Sequence, residues 1–282
     1  MANYRIMSNN IWRCDENNEL WAAQGADCSA EKRIPQLFRV YEENHPDIIG
    51  IQECSPHMAD LLMRHFSQAQ LPYTLVWGKD TPIIYRSDKL ELIESEFRIY
   101  PESIPGLTGS FNNFLTKSFC IAVFRAKDSG EKLIFASTHL WWMSSDPNNK
   151  AYQPYSDEAR AYQLNMLMDR LDVLQEEHGC PVIIVGDFNA VVDSQAVSAA
   201  FSRGYVHAHD IAVDERDETQ GMHYCYPDRY DTTPYPGDFT DSIDHILLRG
   251  EAMNSVKSFK RAAPDYYMPV SDHFPVWIDI EL

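Results

Sequence analysis

The sequence predicts an α/β protein in which two β-sheets pack face to face with helices outside them. Three observations carry this expectation. Strand-like and helix-like segments alternate along all 282 residues, with no internal repeat, low-complexity tract or Pro/Ser-rich linker. Strand candidates outnumber helix candidates, and several follow one another directly. The length is close to the upper limit for one hydrophobic core, so a single domain over residues 1–282 is expected.

Taken in order, residues 4–12 (YRIMSNNIW) read as a strand ending in polar residues. A helix follows within 30–47, with Pro35 expected near its first turn, where a missing N–H costs little. Residues 46–53 (PDIIGIQE) form a short buried strand, and 57–70 have helical periodicity. Strands are expected at 73–77, 82–86, 90–99, 118–125 and 132–140. The clearest helix spans 156–179: Ser156 is placed to cap it, acids crowd its first turn, and Gly179 ends it. A strand at 181–186, a helix near 194–203, and strands at 242–248, 255–261 and 274–280 complete the series. Stretches 101–117, 142–155 and 223–240 are long loops, which in compact domains tend to carry function.

Composition narrows the class. Hydrophobic residues make up 44% and charged residues 23%, as in an ordinary globular protein. No apolar run approaches the roughly 18 residues needed to span a bilayer. The N-terminus lacks the basic and apolar regions of a secretory signal, and a cytoplasmic location is expected. The six cysteines form no CxxC pair; Cys14 and Cys28 flank a polar loop and could pair, but nothing requires it. The net charge of −18, with no basic stripe, argues against strong binding of long nucleic acid.

Chemistry gathers at the ends of the apolar runs. The first strand ends in Asn9-Asn10, the second in Glu53, and LIFASTHL carries Thr138 and His139. CPVIIVGDFNA runs into Asp187 and Asn189, SIDHILL carries Asp244 and His245, and SDHFPVW brings Ser271, Asp272 and His273. If Glu53, Asp187 and Asp272 converge, each bare pair at about 4 Å repels by roughly 4 kcal/mol. Three pairs would rival a typical folding stability of about 5 to 15 kcal/mol. Protonation or a cation must relieve this. Carboxylate and amide oxygens without a thiolate cluster suit Mg²⁺ or Mn²⁺ better than Zn²⁺.

The set NI (10–11), IQE (51–53), STHL (137–140), GDFNA (186–190), IDHILL (243–248) and SDHFPV (271–276) resembles the endonuclease/exonuclease/phosphatase superfamily, the fold of pancreatic-type deoxyribonuclease. The likeness runs from residue 4 to 280, and EARAYQ (158–163) resembles the bacterial members. It implies a four-layered αββα sandwich and a divalent-metal phosphoesterase. Carried over by residue, it implies Glu53 as main metal ligand, with Asn10 and Asp272 assisting. Asp187 and Asn189 would align or deprotonate the attacking water or hold a second metal. His273, oriented by Asp244, would contact the phosphate or act as base, and His139 would donate to a phosphoryl oxygen. The acid that partners the first histidine in the family has no evident counterpart, and the facing of His245 is open.

The superfamily includes nucleases and small-molecule phosphatases, so fold does not fix substrate. The loops at 140–156 and 222–242 are rich in aromatics, and Trp141, His223 and Arg229 are candidates for substrate contact. The acidic charge favours a phosphorylated small molecule or short nucleotide over a long polymer, and no membrane-insertion hairpin is evident. The alternatives are a metal-dependent nuclease and a catalytically silent binding module of the same fold.

Overall fold

The computed structural model describes residues 3–219, 237–251, 255–262, 264–267 and 269–281. The strands are β1 Asn3–Asn10, β2 Ile48–Gln52, β3 Tyr73–Val76, β4 Ile83–Arg86, β5 Leu90–Ile99, β6 Ser118–Ala126, β7 Lys132–His139, β8 Val182–Asp187, β9 Val206–His207, β10 Glu215–Arg216, β11 Asp244–Arg249, β12 Val256–Arg261 and β13 Val276–Glu281. The helices are α1 Glu19–Ala23, α2 Ala30–Asn44, α3 Pro56–Gln68, α4 Ser156–His178, α5 Gln195–Ser202 and α6 Ala208–Ile211. One sheet has the order β10-β12-β13-β1-β2-β4-β3, the other β5-β6-β7-β8-β11-β9. Both mix parallel and antiparallel neighbours: β1 pairs parallel with β2, β7 parallel with β8, and β13 and β11 run antiparallel to β1 and β8.

Three apolar layers hold the stack, as the sequence predicts. Between the sheets lie Ile6, Ile48, Phe124, Phe135, Val185 and Ile278. Ile34, Leu37 and Val40 of α2, with Leu62 and Phe66 of α3, cover the outer face of the first sheet through Ile49, Ile51 and Ile84. Leu164, Leu167 and Leu171 of α4 and Val197 of α5 cover the second through Ile121, Ile134 and Ile184. Each such fully buried side chain contributes about 1.5 to 3 kcal/mol.

Helix ends follow local chemistry. Ser55 caps α3 by accepting from the Met58 N–H, with Pro56 at the first helical position. Gly179 closes α4 at φ 63°. Two expectations are corrected. Ser156 does not cap α4: Tyr155 occupies that position in the left-handed region, and the Ser156 hydroxyl donates to the Gln153 carbonyl. Pro35 lies in the second turn of α2, because that helix starts at Ala30. Cys14 and Cys28 are free thiols with their sulfurs 3.4 Å apart.

Two glycines set how closely the layers approach. A Cβ on Gly50 would fall 2.3 Å from Val185 Cγ2, so the sheets can touch where β2 crosses β8 only because position 50 has no side chain. A Cβ on Gly186 would fall 2.0 Å from the Thr138 carbonyl oxygen. Below the same edge a buried polar ladder ties the sheets. The Gln52 amide donates to Ser137 Oγ at 3.1 Å, and that hydroxyl donates to the Ile51 carbonyl at 3.0 Å.

Candidate functional site

The C-terminal ends of β1, β2, β7 and β8 and the N-terminal ends of β11 and β13 lie along one edge of the stack, as the registers require. That edge brings the polar strand ends together. Asn10 closes β1, and its amide nitrogen stands 3.4 Å from Glu53 Oε1 and 2.9 Å from Asp187 Oδ2. Asn10 thus links a carboxylate of the first sheet to one of the second. Glu53 follows β2 with φ 61°, and its other oxygen accepts the Arg13 backbone N–H. A non-glycine residue held in the left-handed region costs about 1 to 3 kcal/mol and is concentrated at functional sites. Asn189, at φ 50°, is a second such residue; its N–H donates to Asp187 Oδ1 and its amide to the Leu140 carbonyl.

The imidazoles approach from the sides. His139 Nε2 lies 3.3 Å from Asp187 Oδ2 and 3.9 Å from Glu53 Oε1. His273 Nδ1 lies 2.7 Å from Asp244 Oδ2, so Nδ1 carries the proton and Nε2 faces Asp187, 3.8 Å away. Asp244 sits opposite Asp187 in the β8–β11 register. The Ser271 hydroxyl donates to the Asn10 carbonyl and accepts the His273 N–H, which fixes the turn carrying Asp272 and His273.

A cavity of about 400 Å³ opens over this edge, lined by Glu53, Asp187, Asn189, His139, Asp272 and His273. It also contains Arg13, Lys117, Asn113, Phe114 and Thr116, which are absent from the sequence expectations, and Trp142, one of the aromatics of the 140–156 loop. Lys117 is buried at the start of β6, with Nζ 2.5 Å from His139 Nε2. Arg13 pairs with the buried carboxylate of Asp80. Asp80 is also near enough to His139 for their charges to interact, which makes it the nearest counterpart to the acid missing from the sequence reading.

The electrostatics follow from burial opposed by neighbours. Desolvation alone would raise Asp187, but His139, His273 and Lys117 outweigh it and hold the carboxyl well below its usual range. Glu53 is likewise lowered against burial by His139, Lys117 and the Arg13 N–H. Burial lowers Lys117, and Glu53, Asp187 and Asp80 oppose the fall. Burial would also lower His273, yet Asp244, Asp272 and Asp187 raise it well above its ordinary value. At 2.5 Å one nitrogen of the Lys117–His139 pair must accept from the other. Four carboxyl groups (Glu53, Asp187, Asp244, Asp272) gather around that pair and His273. The carboxylate oxygens of Glu53, Asp187 and Asp272 facing one cavity are hard donors that suit a divalent cation. Ligand atoms of Glu53, His139 and Asp187 lie within 4.8 Å of one another.

Other expectations fall differently. Trp141 is 2% exposed and packs with Ile104, Phe111 and Ala159 away from the cavity, whereas its neighbour Trp142 lines it at 45% exposure. Successive residues point to opposite sides, and the sequence reading chose the wrong one of the pair. His245 faces away from the cavity, with Nε2 2.7 Å from the Ala190 carbonyl. Arg160 pairs with Asp157 of its own helix and also donates to the Trp141 and Met143 carbonyls. His223 and Arg229 lie outside the described residues.

Two stacked mixed sheets carrying Asp, Glu, Asn and His at one edge define an α/β sandwich with its polar strand ends gathered at one cavity. The sequence model of the Endonuclease/Exonuclease/phosphatase family matches residues 10–273. The chain belongs to that family, whose members hydrolyse phosphoesters with divalent metals. Among curated proteins, the Ccr4 3′-5′-exoribonuclease subunit of the CCR4-Not complex of Debaryomyces hansenii is 26% identical over 233 residues, 68% of this chain. The chain spans only 26% of that relative's length. Among solved structures, an endonuclease/exonuclease/phosphatase from Bacteroides vulgatus aligns with a TM-score of 0.75 and 19% identity, each chain fully covered. A mannosyl-6-phosphatase from Bacteroides thetaiotaomicron aligns with a TM-score of 0.72 and 21% identity over 99% of this chain and all of its own. No helix among the described residues is long and apolar enough to cross a membrane.

Proposed function

We propose that the chain acts as one domain and is a divalent-metal-dependent phosphoesterase, hydrolysing a phosphomonoester or phosphodiester of a small or short substrate. The observation that supports this best is the meeting of Glu53, Asp187, His139 and His273, from four separate segments and two sheets, at one cavity of about 400 Å³. Glu53, Asn10 and Asp272 would hold Mg²⁺ or Mn²⁺. When bound, the ion supplies Lewis-acid stabilisation of charge on the phosphoryl oxygens.

The chain's own groups account for the rest. Asp187, held ionised by its cationic neighbours and steadied by the Asn189 N–H, is suited to orient a water by accepting a hydrogen bond from it. Asn189 positions that water beside it. His139 and Lys117 together are placed to donate to nonbridging oxygens. The His273 imidazolium, its Nδ1–H fixed on Asp244, presents Nε2–H to the phosphate. Arg13 adds a cation at the rim.

The similarity to Ccr4 favours a second reading, a nuclease acting on DNA or RNA. The net charge of −18 favours short substrates within either reading. The deciding experiment is phosphate release from a panel of sugar, inositol and nucleoside phosphates, compared with digestion of single- and double-stranded nucleic acid at low salt. His273→Ala and Asp187→Ala should each lower turnover by at least ~10² with the fold intact. Wild type inert toward the panel and toward nucleic acid, with a melting curve indifferent to divalent metals and chelator, would leave a silent binding module.

A further inference from the structure

The arm formed by residues 112–117 stands over the cavity and is built to hold one side chain out. Its base is closed by Asn112, whose buried amide donates to the Tyr100 carbonyl at 2.6 Å and the Lys117 carbonyl at 2.8 Å. Asn112 Oδ1 accepts the Lys117 N–H at 2.8 Å, so the two ends of the arm are locked to each other. Within the arm, the Thr116 N–H and hydroxyl both donate to the Asn113 carbonyl. Phe111, just before the base, is fully buried against Trp141.

At the tip the chain does what bulky residues avoid. Phe114 and Leu115 are both at φ 55°, two consecutive left-handed residues with no glycine or asparagine at either position. Such residues cost about 1 to 3 kcal/mol each and persist only where the surroundings impose them. Lys79 braces the turn from outside: its ammonium donates to the Leu115 carbonyl at 2.6 Å and approaches the Phe114 carbonyl at 3.4 Å. The result is a phenyl ring 86% exposed, on a fixed backbone, lining the same cavity as Glu53, Asp187 and His139. Trp142 forms a second apolar wall of that cavity.

A phosphate group alone does not fill a cavity of about 400 Å³, which falls in the range of sites for whole small ligands. The space beside the phosphate-handling groups is bounded by aromatic faces, and aromatic faces bind flat unsaturated rings by stacking. The rigid arm means little freedom is lost when a ring settles on it. Resting on the phosphoesterase reading above, we propose that Phe114 is a specificity platform that stacks a nucleobase, so that the preferred substrate is the phosphate ester of a nucleoside, presented singly or at a chain end.

Matched substrates test this with Mg²⁺ or Mn²⁺ present: adenosine 5′-monophosphate against ribose 5-phosphate, and a diadenosine dinucleotide against its abasic counterpart. The base-bearing member of the hydrolysed pair should lead in kcat/KM by roughly 5- to 100-fold. Phe114→Ala should bring that ratio close to one, and Phe114→Tyr should keep it. Hydrolysis of both members with the same ratio in wild type and F114A overturns the platform while leaving the phosphoesterase reading standing. A preference for the base-free member also overturns it and points to a sugar ring. No hydrolysis of any of the four overturns the platform; hydrolysis of another sugar or inositol phosphate then leaves the phosphoesterase reading standing, and inertness toward all of these and toward nucleic acid overturns both.

Discussion

Lys117 Nζ lies 2.5 Å from His139 Nε2, with both side chains buried at the floor of the cavity. Two nitrogens at that distance share one proton, so neither residue acts alone. The pair lies beside both site carboxylates, with His139 Nε2 3.9 Å from Glu53 Oε1 and 3.3 Å from Asp187 Oδ2. Lys117→Met removes the amine and releases His139. Turnover should fall by at least ~10², with far-UV circular dichroism unchanged. Lys117→Arg, which cannot give up its proton, should retain part of the activity. Full activity in the methionine variant would remove Lys117 from the reaction.

The carboxylates gathered at the cavity should make stability depend on a divalent metal. Mg²⁺ or Mn²⁺ at about a hundred times its dissociation constant should stabilise the fold by roughly 2.7 kcal/mol. For a chain of this length that raises Tm by several degrees. Glu53→Ala should abolish the shift in a thermal melt titrated with metal, because it removes the carboxylate most open to the cavity. A shift that survives in the variant would place the ion elsewhere.

Which parts of this site could be read from sequence has a physical basis. Asp187 with Asn189, and Asp272 with His273, sit within three residues of one another at the ends of apolar runs, so each motif carries its own context. The layers were legible because apolar periodicity reports burial directly. Lys117, Arg13 and Asp80 are single charges in loops whose neighbours in space are distant in sequence, and no local pattern marks them. Trp141 and Trp142 are equivalent as letters, and only the path of the loop decides which is buried. The edge strands β9 and β10 are two residues each, too short to show an alternation.

Arg33 should prove a critical residue for folding, although it is not among the residues that line the cavity. Its guanidinium is buried and donates to five backbone carbonyls: Cys28, Ile11, Val270, Trp12 and Cys14. These belong to the loops that follow β1 and precede Asp272. Arg33→Met leaves those carbonyls buried without their charged donor and should destabilise by about 2 to 4 kcal/mol in urea denaturation. A loss below about 1 kcal/mol would mean the carbonyls find other partners.

Gly50 should be equally intolerant, for a steric reason. A methyl there meets Val185 Cγ2 and lies 3.1 Å from Ser137 Cβ, both on the opposite sheet. Gly50→Ala must push β2 from β8, and with it Glu53 from Asp187. Stability should drop by about 1 to 3 kcal/mol, and metal affinity should fall as well. Gly50→Ala,Val185→Ala, which reopens the space, should recover much of the affinity. Unchanged metal binding in the single variant would show that the sheet separation does not set the site.

Acid should destabilise the fold through two buried histidines, His207 and His245. His209 N–H donates to His207 Nδ1, which leaves the His207 Nε2 proton to be donated to His245 Nδ1 at 3.0 Å. His245 Nε2–H then donates to the Ala190 carbonyl, just beyond Asn189. Every nitrogen in this chain has its role only if both rings are neutral. Burial lowers His207 well below its ordinary value and brings His245 from 6.5 to about 4. Between those values the unfolded chain binds a proton that the native His245 refuses, so stability rises with pH and is lost as pH falls from about 6.5 to 4. For His245 alone the loss is about 3 kcal/mol across that window. Urea melts at pH 7 and pH 4.5 should show it, and His245→Gln should flatten the dependence although it weakens the fold at pH 7. A variant with the wild-type slope would assign the acid sensitivity to other groups.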